Sequence, residues 1–381
     1  MSLISYGALS GSGFGAAQPV KYWNGSTYVW ETITYGFSAA VHGYGGYRGA
    51  FAVDGVGNLW ELYYTGSSWA WSLWFPPSGI SACSGGFTGT PAAVADGNYV
   101  GVFLRCGHHI IEKYSTNGSW QGYIDHGDIV DSRTCTRDLD CANDYPCLNG
   151  SCYAITTNVN SDPAVVTNSS YTGVFVIDNT MYPRAWELTG PRGSSSGWTW
   201  YGHGISKEWV GMAGNPSMVH NPNSGYYGGL FLENNGDTAE LYFDGSSHWY
   251  WTEHKDPSQY ITSPCNYSGI GPAISSWTMG TDTSSGDVFG VAYCSNNNPY
   301  KTHVMRLYYH SGWTWVVTTD QNSTFGHFLG EPFGVKVASA DFQAYTSTTL
   351  TDNSKDAFDW WQGTTTNGTW TWNYWYNVDH P

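Results

Sequence analysis

Charged residues are scarce in this chain, at 12% of its 381 positions. Lys, Glu, Leu and Ala are thin where helices would need them, and no stretch reads as a convincing helix. Only 14 basic residues face 30 acidic ones, for a formal charge of −16. A field of that sign repels phosphate backbones, so nucleic acid is not an expected partner. No apolar run approaches the roughly 20 residues that span a bilayer, so no membrane span is expected. The opening "MSLISYGALS" has no basic start and too short an apolar stretch for a secretory signal. Export would use a segment missing here, unless the first residues are an added start. The catalytic signatures G-x-S-x-G, H-E-x-x-H and the P-loop are missing as well.

What the chain does have is glycine and rings: Gly 48, Trp 21 and Tyr 29. They are written into a recurring phrase. "ELYFDGSSHWYWTEH" at Glu240 returns as "ELYYTGSSWAWSLW" at Glu61 and "EKYSTNGSWQGYID" at Glu112. Further copies start at Glu187, Arg306 and Asp359, and a looser seventh starts at Val20. Each reads as two aromatic strands around a Gly/Ser/Asn turn. Upstream of six of them lies a small-residue strand, a turn and a Val/Phe strand, as in "PAAVADGNYVGVFL" at Pro91. Comparable units begin at Ala39, Pro163, Pro216, Pro272 and Pro332. Four strands per repeat, at a period of roughly fifty residues, match the blade of a propeller. Small residues suit a first strand crowded around an axis, and the Tyr and Trp suit outer strands where blades splay apart. The reading is an all-β, seven-bladed β-propeller of four-stranded antiparallel blades, one domain over 1–381. The first repeat lacks an obvious innermost strand.

Eight cysteines, an even number, point to an oxidising compartment and a secreted, extracellular protein. Cys83 and Cys106 hold the same two places in their repeat as Cys265 and Cys294 do in theirs, which implies bridges Cys83–Cys106 and Cys265–Cys294. Cys135, Cys141, Cys147 and Cys152 crowd a polar stretch within residues 131–160, read as a small disulfide-rich insertion. Its connectivity cannot be read from sequence; Cys135–Cys147 with Cys141–Cys152 is the expectation. Zinc is disfavoured by the spacing. Asp138, Asp140, Asn143 and Asp144 offer oxygen ligands in an order that fits no calcium loop and reads as turn chemistry. No metal or cofactor is expected.

Candidate binding residues lie on the repeated hairpins. Residues i and i+2 share one face of a strand, so both Trp of each W-x-W pair point into one gap between blades. They either pack there or stack on a ligand. The acid that opens the third strand (Glu61, Glu112, Glu187, Glu240, Asp359) should not stay charged in such a gap unless it is paired or faces a ligand. Acid and His residues where the fourth strand ends, Asp125-His126, His203 and Glu253-His254 among them, read as a polar rim rather than a metal site. One hairpin can be placed by parity. A turn at Gly107-His108 sets Cys106 opposite His109 and Arg105 opposite Ile110, so Arg105, Glu112 and Tyr114 share a face. Trp120 is expected to add a ring. Arg105 and Glu112 either hold a sugar together or pair with each other.

At Pro91–Gly127 the sequence resembles a blade of the seven-bladed propeller lectins of the bacterial PLL type and their fungal PVL-type relatives. The third-and-fourth-strand hairpin is similar to that of fungal fucose-binding propeller lectins. The resemblance is one of repeat pattern and covers nearly the whole chain outside the 131–160 insertion. It implies carbohydrate pockets between adjacent blades, with fucose or amino sugars as ligands. The residues expected to form them are Arg105, Glu112, Tyr114, Trp120, Glu61, Trp71, Glu240 and Trp251. The functional expectation is a secreted lectin or adhesin, not an enzyme, with glycans and further copies of itself in a homo-oligomer as its partners. A structural or assembly protein of the extracellular surface is the alternative, and a glycan-processing enzyme is less favoured.

Overall fold

The computed structural model describes, apart from short gaps and some side chains, residues 47–130 and 156–254, together with the backbone of strands elsewhere. It is all-β. The only helical piece among the described residues is the 3-10 turn Ser81–Gly85. Five four-stranded antiparallel sheets and one five-stranded sheet form the blades. The first blade runs Ala39–His42, Arg48–Val53, Leu59–Tyr64, Trp69–Trp74. The second runs Thr88–Asp96, Tyr99–Cys106, His109–Thr116, Ser119–Asp125. Ala164–Asn168, Tyr171–Ile177, Ala185–Thr189 and Thr199–Gly204 make the third, and Met212–Asn221, Tyr226–Glu233, Thr238–Phe243 and Trp249–Glu253 the fourth. The fifth spans Thr278–Thr281 to Trp313–Thr319. In the sixth, both His327–Phe328 and Phe333–Ala338 pair with Asp341–Thr349.

The innermost strands follow one another around an axis. Ala39–His42 lies beside Thr88–Asp96, then come Ala164–Asn168, Met212–Asn221, Thr278–Thr281 and Phe333–Ala338, and the last lies beside Ala39–His42 again. The ring therefore closes with six blades, which corrects the expected seven. The repeat at Val20 forms a separate two-stranded hairpin, Gln18–Trp23 with Tyr28–Ile33. Among the described residues no inner strand accompanies it.

The core is a series of slabs between consecutive blades, as alternation along each strand dictates. On the second blade Val100, Val102 and Leu104 face Phe51, Val53 and Leu59 of the first. From the other face of that blade, Phe103 and Ile110 meet Val174, Val176 and Trp186 of the third. The third and fourth blades share a slab around Phe175, Ile177, Phe231 and Leu241. The Cys83–Cys106 bridge ties the loop entering the second blade to the end of that blade's second strand. Ile129–Val130 pairs with Thr156–Thr157 at the base of the insertion, and inside it Cys147 stands opposite Cys152 on a two-stranded ladder. The sulfurs of Cys135, Cys141, Cys147, Cys152, Cys265 and Cys294 lie outside the described residues, as do Asp138, Asp140, Asn143 and Asp144. Among the described residues no group of three His, Cys, Asp or Glu could hold a metal, and no helix is long and apolar enough to cross a membrane.

Candidate functional site

Four of the acids that open the third strands are interior groups, and the side chain of Asp359 lies outside the described residues. Glu61 is 1% exposed, Glu112 0%, Glu187 3% and Glu240 3%. Burying a carboxylate is tolerable only with partners, and each of the first four blades supplies two. A tyrosine at the start of the second strand donates its hydroxyl to one oxygen: Tyr47 to Glu61 at 2.5 Å, Tyr99 to Glu112 at 2.7 Å, Tyr226 to Glu240 at 2.5 Å, and Tyr171 to Glu187. The other oxygen meets a histidine at the end of the fourth strand. His126 Nε2 lies 2.9 Å from Glu112, His203 Nε2 2.8 Å from Glu187, and His254 Nε2 2.9 Å from Glu240. In the first blade Trp74 Nε1 takes that place, donating to Glu61 at 3.2 Å. The histidines expected on a polar rim are thus buried clasps that pin the second, third and fourth strands together.

A glycine makes room for each tyrosine. A Cβ on Gly49, Gly101, Gly173 or Gly228 would lie 2.2, 2.1, 2.2 or 2.3 Å from the hydroxyl of the tyrosine two residues earlier. The ring lies flat over that glycine to reach the acid. The sequence carries this signal as Y-x-G in four repeats, "YRG", "YVG", "YTG" and "YYG", a pattern that the strand reading alone leaves without a role.

In the second to fifth blades the first tryptophan of the fourth-strand segment closes the gap to the preceding blade. Trp198 packs on His126 at 4.2 Å between ring centres, Trp249 on His203 at 5.1 Å and Trp313 on His254 at 4.9 Å. Trp120 does the same against Trp74 at 5.7 Å, with Phe51 at 6.0 Å. All four rings pack between blades, and Trp120 also borders a cleft.

Between the first and second blades the packing leaves a cleft of about 320 Å³. Tyr47, Tyr63, Trp74 and Trp120 are its rings, Ser72, Asn98 and Ser115 its polar side chains, and Glu61 its floor. Burial pushes the Glu61 carboxyl above the usual carboxylate range, while hydrogen bonds from Tyr47, Trp74, Trp120 and Ser72 draw it back down. One carboxylate thereby fixes both indoles. Lys113 stands behind them, its ammonium 4.3 Å from the Trp74 ring centre and 4.6 Å from that of Tyr123, donating to the Gln121 carbonyl at 2.5 Å. Burial lowers the Lys113 pKa, and the Glu61 charge opposes that shift.

The expected residues separate into different gaps. Arg105 does stand opposite Ile110 and Cys106 opposite His109, so Arg105 and Glu112 share a face. They do not meet, however. Arg105 reaches outward to the Asn160 carbonyl at 3.0 Å and to Asp162 at 3.8 Å, while Glu112 is held by Tyr99 and His126. The Arg105–Glu112 ion pair is not formed. Trp120 stands opposite Ser115, on the other face from Glu112 and Tyr114, and belongs with Glu61. Trp71 stands opposite Leu62, one residue out of register with Glu61, and Trp251 stands opposite Leu241, on the face of its blade away from Glu240. Trp251 packs on Phe231 and donates to the His203 carbonyl at 2.9 Å. Of the expected set, the structure brings together Glu61 and Trp120, and it adds Tyr47, Tyr63 and Trp74.

A ring of four-stranded antiparallel blades defines a β-propeller, here with an aromatic cleft between two of its blades. No family model matches the chain, and no curated protein matches its sequence. Solved structures do match in fold. The BP39L lectin from Burkholderia pseudomallei superposes with a TM-score of 0.53 at 14% identity, covering 94% of this chain and 89% of that one. A mutant of AofleA from Arthrobotrys oligospora gives 0.51 at 12% identity, over 89% and 86%. The Aleuria aurantia lectin, described as a six-bladed β-propeller with a novel fucose recognition mode, gives 0.50 at 13% identity, over 88% and 93%. At such identities the likeness shows the fold.

Proposed function

We propose that this chain is a lectin that holds a sugar ring in the cleft between its first and second blades. The observation that carries this reading is the cleft itself. Four rings, a buried carboxylate and the polar side chains of Ser72, Asn98 and Ser115 line one cavity of about 320 Å³. Sugars present C–H faces that pack on rings and hydroxyls that seek carboxylates and amides, so this lining suits them. Fucosides are the first ligands to try, since a mutant of the Aleuria aurantia lectin, whose fold this chain shares, has been solved with Fucalpha1-6GlcNAc and with alpha-methyl-L-fucoside. Amino sugars come next. The disulfide at Cys83–Cys106 supports an oxidising, extracellular setting. The reading is of binding without turnover, because the acids repeat alike from blade to blade, each enclosed by its own clasp.

The second reading, a structural or assembly protein, is favoured by those same clasps, which use the acids of the second to fourth blades for internal hydrogen bonds. A glycan array carrying fucosylated and amino-sugar glycans separates the two. The lectin reading expects binding that Tyr63→Ala or Trp120→Ala weakens by roughly tenfold or more, the scale of one lost aromatic contact. A folded wild-type chain that binds nothing on the array leaves the structural reading.

A further inference from the structure

The second and third blades form a gap built on the same plan as the first cleft. Tyr99, Glu112, His126 and Tyr114 occupy the places of Tyr47, Glu61, Trp74 and Tyr63, for Glu112 stands opposite Phe103 as Glu61 stands opposite Phe51. Trp198 takes the part of Trp120. The two gaps differ in what the following blade sends into them. The second blade turns tightly at Asn117-Gly118, both residues at positive φ, and leaves the first cleft open. The third blade turns through the longer segment 190–198, "GPRGSSSGW", and that segment enters the gap.

Its contacts there have the chemistry of a ligand. Gly193 N–H donates to Glu112 Oε1 at 3.2 Å, where a sugar hydroxyl would donate. The Arg192 guanidinium lies 5.3 Å from the centre of the Tyr99 ring, where a sugar face would stack. Arg192 is latched at the mouth by Asp96, with Nη1 3.0 Å from Oδ2 and 3.3 Å from the backbone carbonyl. Gly193 holds a φ of +62°, and a Cβ there would lie 2.8 Å from the Tyr114 ring. Only a glycine fits so close to that ring. The Trp198 indole donates to the Ser194 carbonyl at 2.7 Å and folds the segment back upon itself.

We infer that the gap between the second and third blades is a second sugar site, held shut by segment 190–198 acting as an internal stand-in for the sugar. The inference rests on the lectin reading of the first cleft. Two variants test it: one in which Asn-Gly replaces 190–197, and the double substitution Arg192→Ala/Gly193→Val, which unlatches the segment and blocks its seat. Calorimetric titration with methyl α-L-fucoside should find one more site per chain in both variants than in the wild type. Adding Tyr114→Ala to the shortened variant should remove that added site. Ser196→Ala, an exposed position in the same segment, should leave the count unchanged. If the wild type binds and neither folded variant gains a site, the segment is packing and this inference alone is overturned. Binding by a variant but not by the wild type supports the occluded site and overturns the first-cleft reading. Absence of binding by all of them overturns both.

Discussion

Alanine at position 101 should unseat Tyr99. The added Cβ would lie 2.1 Å from the tyrosine hydroxyl and 2.6 Å from Cζ, and the ring is only 4% exposed, so it has no free space to take. Either the ring leaves or the strand shifts. In both cases Glu112, fully buried, loses a donor now 2.7 Å away. A hydrogen bond to a charged group contributes about 1.5–3 kcal/mol, and overpacking a core costs about 1–3 kcal/mol. Gly101→Ala should therefore destabilise the protein by about 2–4 kcal/mol. The diagnostic is what happens without the ring. In a Tyr99→Ala background the clash is gone, and alanine in a strand is better than glycine by roughly 0.5–1 kcal/mol. The same substitution should then be neutral or slightly stabilising, a change of sign rather than of size. Urea unfolding of the wild type, both single variants and the double variant measures the coupling. An equal cost for Gly101→Ala in both backgrounds would refute the claim that the glycine exists to seat the tyrosine.

Two further outcomes follow from the same geometry. Burial raises the folded-state pKa of Glu61, so its protonated form is the one the fold prefers. The stability this contributes is full below the unfolded value of about 4.3 and is lost as pH rises through the raised value. Melting of the wild type relative to Glu61→Gln should thus decline from about pH 4 upward, and a difference independent of pH would contradict the assigned burial effect. Arg105→Ala should lower stability by about 1–3 kcal/mol, because it strips Asp162 of its cation and the Asn160 carbonyl of its donor. Fucoside binding should persist unchanged in that variant, and its loss would return Arg105 to the sugar site.

Strand parity accounts for both what could be read from the sequence and what could not. Once a two-residue turn is placed, every pair along the hairpin follows, which is why Arg105 opposite Ile110 was legible. The same rule applied to Asn117-Gly118 sets Trp120 opposite Ser115, one residue out of phase with Glu112 and Tyr114. Grouping Trp120 with them ignored that phase, and a one-residue error moves a side chain to the other gap. The Tyr–Glu–His clasps were harder to find, since they join three strands through hydrogen bonds that no local pattern specifies. Their local traces are the repeated acid, the histidine where the fourth strand ends and the glycine two residues after each tyrosine, and none of these names its partner. The destination of Arg105 depends on Asn160 and Asp162, beyond the insertion, and no hairpin rule reaches that far.

The blade count turns on a different distinction. An aromatic hairpin is stabilised mainly by its own cross-strand pairs, so a chain can carry one outside the ring, as it does at Gln18–Trp23 and Tyr28–Ile33. An axis can be closed only by strands that touch neighbours on both sides. The sequence contains seven aromatic hairpins but six small-residue first strands, beginning near Ala39, Pro91, Pro163, Pro216, Pro272 and Pro332. Those six are the segments that meet around the axis, with Phe333–Ala338 beside Ala39–His42. Inner strands, not hairpins, are therefore the quantity to count when a propeller is read from sequence, because crowding at the axis is the one constraint that a repeat must satisfy to become a blade.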